Sequence, residues 1–154
     1  MHYEMFMAAA ISEARAAARA GERPDGAVAV LGEAMVAGGH EQVRETGDPT
    51  AHAVIVTLRE AAARLGRTSL EGLTVFSTLE PCAMCVGALL ESDADGIVFA
   101  VPDRVAGAAG SALQLADHDG LARRLLVVSG ILQSDAAELL DGSGAAAPRS
   151  RTGR

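Results

Sequence analysis

The segment TLEPCAMC, residues 78–85, decides the fold of this chain together with DPTAHAV, residues 48–54. In the first segment a short apolar run ends at a Pro, and two Cys three residues apart follow at the start of a helical pattern. Residues three apart lie on one face of a helix, and the N–H groups and positive dipole at a helix N-terminus stabilise thiolates. Cys82 and Cys85 can therefore face one ion.

His52 is the third candidate ligand, because it stands at the start of another predicted helix. Three protein ligands leave the fourth position of Zn²⁺ for water, whose pKa the metal lowers to roughly 7. Two alternatives for Cys-x-x-Cys are a redox pair and half of a structural zinc site. The chain has only two Cys, which excludes a four-cysteine site within it, and a redox pair would not explain the His segment. The sequence predicts an open zinc site at His52, Cys82 and Cys85.

Helical and strand patterns alternate along the chain, which predicts an α/β fold. The order predicts a three-layer α/β/α sandwich with a five-stranded mixed sheet and the metal segments where strand ends meet helix starts. Asp48 or Thr50 is the predicted N-cap of the helix that carries His52. The predicted helices cover residues 3–19, about 50–65, 82–91, 111–116 and 134–140, and the predicted strands residues 27–31, 34–37, 73–78, 96–101 and 125–128.

Length and composition predict one compact domain with a short tail. The chain has 154 residues and is 49% hydrophobic, which is enough for a substantial core and excludes a disordered chain. We assign residues 1–141 to the domain. Residues 142–154, rich in Gly, Ser and Ala, are predicted to be a flexible tail.

The charge balance favours a small-molecule substrate over nucleic acid. The net charge is -7, lysine is absent, and Phe and Tyr total four, so clustered cations and stacking platforms are lacking. No apolar stretch near the N-terminus is long enough for a membrane span or has a signal-peptide pattern. We expect a cytoplasmic protein without membrane contact.

The two metal segments, together with GERPDGA at residues 21–27 and SGIL at residues 129–132, resemble the zinc-dependent cytidine deaminase superfamily. The resemblance is to the branch with bacterial tRNA adenosine deaminases, guanine deaminases and related nucleobase deaminases, and it covers about residues 3–141. It implies Zn²⁺ as cofactor, the α/β/α fold, a homodimer, and hydrolysis of an amino-substituted ring with loss of ammonia.

Two positions depart from the pattern of that family. Val54 stands two residues after the metal His, where the family has the Glu that moves protons. Glu41 stands where the family commonly has an Asn that binds the base. We predict that Glu41 is a substitute proton relay or a clamp on a substrate amino group. The alternative is a solvated loop residue.

Three further residues are weaker site candidates. Glu80 is expected to accept backbone N–H bonds that shape the metal loop, with direct catalysis as the alternative. Asp103 follows a predicted strand at the rim of the pocket, where it binds substrate or stabilises a turn with Arg104. Ala53, beside the metal His, is a candidate substrate contact.

The sequence leaves several functions open. The first is a zinc-dependent hydrolytic deaminase of a free amino-substituted nucleobase or related heterocycle. The second is a zinc-binding pseudoenzyme that binds a base-like ligand without turnover, and the third is a deaminase inactivated by substitution at Val54. A tRNA adenosine deaminase is a further alternative, but the basic and aromatic residues of its last helix are replaced here by Gly, Ser and Ala.

Overall fold

The computed structural model describes residues 1–142, and one five-stranded mixed sheet organises them. The sheet has the order β2-β1-β3-β4-β5. β1 is antiparallel to β2 and β3, whereas β4 is parallel to β3 and β5. The strands are β1 (Gly26–Leu31), β2 (Ala34–His40), β3 (Leu73–Leu79), β4 (Gly96–Val101) and β5 (Leu126–Ser129).

Helices cover both faces of this sheet, so the predicted three-layer architecture is confirmed. In β1, Ala27 and Ala29 pack in one core cluster, whereas Val28 and Val30 pack in the other. This alternation explains the continuous apolar run, since a strand that is covered on both faces needs no polar side. The helices are α1 (Tyr3–Arg19) and α5 (Gln133–Gly142) on one face, α3 (Ala53–Leu65) and α4 (Ala83–Glu91) on the other, and the single turn α2 (Val43–Thr46).

Among the described residues, no helix combines the length and apolar character that a membrane-spanning segment needs. The predicted tail, residues 142–154, lies outside the described residues except for Gly142, which ends α5.

The predicted helix at residues 111–116 is wrong. Between β4 and β5 the described chain forms turns and isolated bridges. Gly110 has a φ of 127°, which no helical residue adopts, and the N–H groups of Leu113 and Leu115 bond back to the carbonyls of Gly107 and Ala108. Backbone hydrogen bonds between residues six and seven positions apart have therefore replaced the helical i to i−4 pattern.

The predicted cap of α3 is also wrong. His52 itself is the N-cap, and its side chain makes no capping hydrogen bond. The Asp48 carboxylate instead accepts hydrogen bonds from the Thr50 N–H at 2.8 Å and the Thr50 hydroxyl at 2.7 Å. Asp48 thus stabilises a turn before the helix, which leaves the His52 ring available to a metal.

One edge of the sheet collects the ends of three strands and the start of a fourth. Gly26 pairs with His40 and Ala27 with Ser77, so β1 begins where β2 and β3 end. Because β4 is parallel to β3, it ends at the same edge. The acidic residues that flank these strand ends are Asp25, Glu41, Glu80 and Asp103.

Gly26 is the point where α1 approaches the sheet most closely. A Cβ at this position would lie 2.3 Å from both the Ala10 carbonyl oxygen and the Ala14 nitrogen. Gly26→Ala is expected to lower the free energy of unfolding by about 1–3 kcal/mol, because the helix backbone cannot yield without repacking. Urea unfolding measures the change. The matched control is Gly38→Ala, whose Cβ would approach no atom closer than 3.5 Å. Equal stability of both variants would contradict the prediction.

Candidate metal centre and its cavity

The three predicted ligands converge at the starts of α3 and α4. His52 Nδ1 lies 3.5 Å from Cys82 Sγ and 3.6 Å from Cys85 Sγ, and the two sulfur atoms are 3.7 Å apart. A tetrahedral ion with Zn–S near 2.3 Å and Zn–N near 2.05 Å requires about 3.6 Å between nitrogen and sulfur and about 3.8 Å between sulfurs. The donor set and its spacing therefore fit Zn²⁺.

Cys82 and Cys85 differ in how readily they lose their protons to a metal. The hydrogen bond from Cys85 lowers the pKa of Cys82 to about 3. The same bond, together with burial, raises the pKa of Cys85 well above its ordinary value. Zn²⁺ binds both residues as thiolates, so metal binding lowers the proton content of the pair.

The ligands line a small buried cavity. Its volume is about 10 Å³, which is room for roughly one water molecule. The Val54 side chain, 1% exposed, presents only carbon to this space. The remaining lining residues include Arg23, Asp25, Leu79, Glu80, Pro81, Asp103 and Ala106.

A buried ion cluster contributes Arg23 and Asp25 to the cavity wall. Arg23 Nη2 lies 3.1 Å from Glu41 Oε1 and 3.5 Å from Asp25 Oδ2. Burial by itself lowers the pKa of Arg23, but the charges of Asp25 and Glu41 outweigh it and raise the pKa. Burial raises the pKa of Asp25, against the opposing effect of Arg23. Arg23 Nε is buried and makes no hydrogen bond within residues 1–142.

A residue of the neighbouring strand β3 also fixes the position of Asp25. The Thr78 hydroxyl bonds Asp25 Oδ1 at 3.0 Å, and the Gly26 N–H donates to the Thr78 oxygen at 3.0 Å. Since that oxygen accepts from Gly26, the hydroxyl proton is directed at the Asp25 carboxylate. Asp25 is therefore held between Thr78 and Arg23.

Glu41 is buried, with 3% of its surface exposed, so its alternative as a solvated loop residue is wrong. Its N–H donates to the Asp25 carbonyl, and its carboxylate pairs with Arg23. It is not among the residues that line the cavity. The structure therefore brings Glu41 to the ion cluster, one side chain away from the metal ligands.

Glu80 shapes the loop beside the metal ligands, as expected. Its carboxylate accepts hydrogen bonds from the N–H groups of Asp103, Ala109 and Ser111, and from the Ser111 hydroxyl. Backbone donors thus compensate a carboxylate that is 2% exposed. This contact network ties residues 103–111 to the end of β3.

Asp103 and Ala53 occupy different positions relative to the cavity. Asp103 Oδ1 accepts hydrogen bonds from the N–H groups of Val105 and Ala106, so it stabilises a turn through backbone groups rather than as the predicted pair with Arg104. Asp103 also lines the cavity, whereas Ala53 is the buried first residue of α3 and does not. Substrate contact by either residue stays a prediction.

The sequence did not identify Arg23 and Asp25 as site residues. Asp25 stands one position and Arg23 three positions before β1, where charged residues ordinarily face solvent. The available signal was a cation and an anion flanking Pro24 at the start of a strand that is buried on both faces.

Comparison with known proteins agrees with this geometry. Residues 1–101 match the family described as the cytidine and deoxycytidylate deaminase zinc-binding region. The chain belongs to this deaminase family. The match includes all three candidate zinc ligands.

Relatives within the deaminase family have different named activities. The tRNA-specific adenosine deaminase of Bacillus subtilis is 38% identical over 138 residues, which are 89% of this chain and 85% of that protein. A tRNA:A34 deaminase structure matches with a TM-score of 0.85 at 35% identity, over 88% of this chain and 98% of that one. The guanine deaminase structure from Nitrosomonas europaea matches with a TM-score of 0.77 at 27% identity, over 92% and 84% of the two chains.

We predict that the purified deaminase holds about one zinc ion per chain and that Cys82→Ser greatly reduces it, because a hydroxyl replaces one of three ligand atoms. Elemental analysis after dialysis measures the metal content. Val54→Ala is the matched control, since residue 54 lines the cavity without offering a ligand atom. Undiminished zinc in Cys82→Ser would remove the assignment.

Proposed function

We propose that this chain is a zinc-dependent hydrolytic deaminase of a free amino-substituted nucleobase or related heterocycle. The observation that carries the proposal is the set of three ligand atoms at tetrahedral spacing in a buried cavity with carboxylates in its wall. When bound, Zn²⁺ supplies a water whose pKa is lowered to roughly 7. The cavity excludes bulk water, which strengthens electrostatic contacts inside it.

Ring binding requires a change in the ion cluster. A cavity of about 10 Å³ has no room for a heterocycle, and Arg23 is the long side chain in its wall. Arg23 also carries a buried Nε–H without a partner among the described residues. Movement of this guanidinium opens space beside the ligands, and a ring acceptor can satisfy the N–H groups that it then presents.

Glu41 is proposed as a clamp on a substrate amino group. Its carboxylate pairs with Arg23, which itself lines the cavity, so a ring that displaces Arg23 comes next to Glu41. A carboxylate accepts hydrogen bonds only, which matches an exocyclic amino group as donor. This position favours the clamp over the relay, the other role that we predict for Glu41.

A tRNA adenosine deaminase is the second candidate, and the named activity of the Bacillus subtilis relative supports it. The net charge of -7 and the absence of lysine favour the free base, since RNA affinity depends on neutralising phosphates. A pseudoenzyme is the third, supported by Val54 in place of a proton-transferring residue. The three candidates differ in turnover and in the substrate that supports it.

Turnover assays on a panel of amino-substituted purines, pyrimidines and triazines separate these functions. We expect slow to moderate ammonia release by the unmodified chain. Glu41→Gln should raise KM by about tenfold and change kcat less, because the variant loses an acceptor that binds the amino group. A relay role instead lowers kcat, and identical kinetics across roughly pH 6 to 9 would exclude both roles. Turnover that begins only with Val54→Glu would establish the pseudoenzyme or inactivated form.

We expect a homodimer, as the family resemblance implies, with negligible tRNA affinity at physiological salt. The acidic net charge is the physical reason for weak RNA binding. Light scattering measures the mass, and a filter-binding titration with a tRNA transcript measures affinity. A monomeric mass, or submicromolar tRNA binding with inosine formation, would contradict these expectations.

A further inference from the structure

We propose that Asp25 supplies the carboxylate that residue 54 lacks, and that it accepts and passes on the proton of the attacking water. This inference rests on the proposed function. Proton transfer then belongs to Asp25, just before β1, and not to residue 54 near the start of α3. Asp25 and Val54 line the same cavity as His52, Cys82 and Cys85.

The cavity is small enough to bring its lining residues close to one water molecule. About 10 Å³ holds roughly one water molecule, so groups that line it surround the same small space. The metal ligands form one part of this wall and Asp25 another. A water bound by the metal would therefore share this space with Asp25, although Val54 contributes no carboxylate.

The Asp25 carboxylate has contacts on both of its oxygens. Its Oδ1 is fixed by the Thr78 hydroxyl at 3.0 Å, and its Oδ2 lies 3.5 Å from Arg23 Nη2. The Thr78 bond does not depend on Arg23, so it holds the orientation of the carboxylate when Arg23 moves, as a proton-transferring group requires. Asp25 is 5% exposed, so bulk water does not compete for it.

The other carboxylates at this edge have different uses. Glu80 accepts three backbone N–H groups and a hydroxyl, and Asp103 accepts two N–H groups of its own turn. Glu41 does not line the cavity. Asp25 differs from these residues. Within residues 1–142, Thr78 donates to its Oδ1, and its Oδ2 has the longer contact with Arg23.

Hydrolytic deamination gives this carboxylate two proton transfers. The water oxygen bonds to the ring carbon that carries the amino group, and Asp25 takes the first water proton and gives it to the adjacent ring nitrogen. The second proton passes by the same carboxylate to the amino nitrogen. The C–N bond then breaks, ammonia leaves with the bonding electron pair, and a ring carbonyl with an N–H neighbour remains.

Kinetics of the zinc-loaded protein test the catalytic part. Asp25→Asn keeps the shape and should lower kcat by about 10²- to 10⁴-fold. Asp25→Val should be as slow, and the exchange variant Asp25→Val with Val54→Glu should recover at least about tenfold over Asp25→Val, because it returns a carboxylate to the cavity. If Asp25 has a purely structural role, Val54→Glu should raise kcat by the same factor in the unmodified chain, whereas the relay predicts little gain there. Unchanged kcat in Asp25→Asn would overturn the proposal.

Azide binding to the Co²⁺-substituted protein, followed by visible absorption, tests the position of Asp25 without turnover. A negative charge close to the open coordination position repels the anion, so Asp25→Asn should bind azide at least about tenfold more tightly. Glu41→Gln is the matched control, because it removes the same charge from the same guanidinium outside the cavity. Its change should stay below about threefold, and equal effects in both variants would overturn the inference.

The two measurements separate this inference from the proposed function. Turnover by the unmodified chain with normal kcat in Asp25→Asn would leave the deaminase assignment standing and remove Asp25 from it. Absence of turnover on the whole panel, with an azide effect specific to Asp25→Asn, would overturn the deaminase assignment and the relay with it. In that case Asp25 remains a carboxylate that faces the metal position.

Discussion

The approach of one imidazole nitrogen and two sulfurs to 3.5–3.7 Å is the constraint on which the rest of this structure depends. Such spacing requires the starts of α3 and α4 to meet above one edge of the sheet. The parallel pairing of β3 with β4 and the tight packing of α1 at Gly26 hold that edge in place. The deaminase fold thus serves as a rigid frame for three ligand atoms.

The charged groups around this centre follow from the cost of burial. An isolated buried charge is strongly unfavourable, so each carboxylate at the edge needs compensation. Glu80 obtains it from backbone N–H groups, whereas Asp25 and Glu41 share one guanidinium. The cavity beside Val54 is therefore not apolar. Arg23 and Asp25, just before β1, supply charged groups to its wall.

We propose that the same ion cluster makes the site selective. Arg23 fills space that a ring needs, and its movement separates it from two carboxylates in a buried setting. A ligand compensates this loss only if it offers acceptors to Arg23 and donors to the carboxylates. An amino-substituted heterocycle with adjacent ring nitrogens has both, which connects the closed cavity to the substrate class that we propose.

The sequence by itself determined most of the helices and strands, the three-layer architecture, the zinc ligands and an apolar residue, Val54, two positions after the metal His. These features are local: helix and strand periods repeat every few residues, and two ligands three apart on a helix start share a face without help from the rest of the chain. Only the tertiary structure decided that residues 107–116 fold back on themselves and that Asp25 and Arg23 belong to the cavity. Asp25 meets Thr78, 53 positions away, through the antiparallel pairing of β1 with β3. No sequence period encodes such a contact, because strand register is set by packing between segments that are distant along the chain.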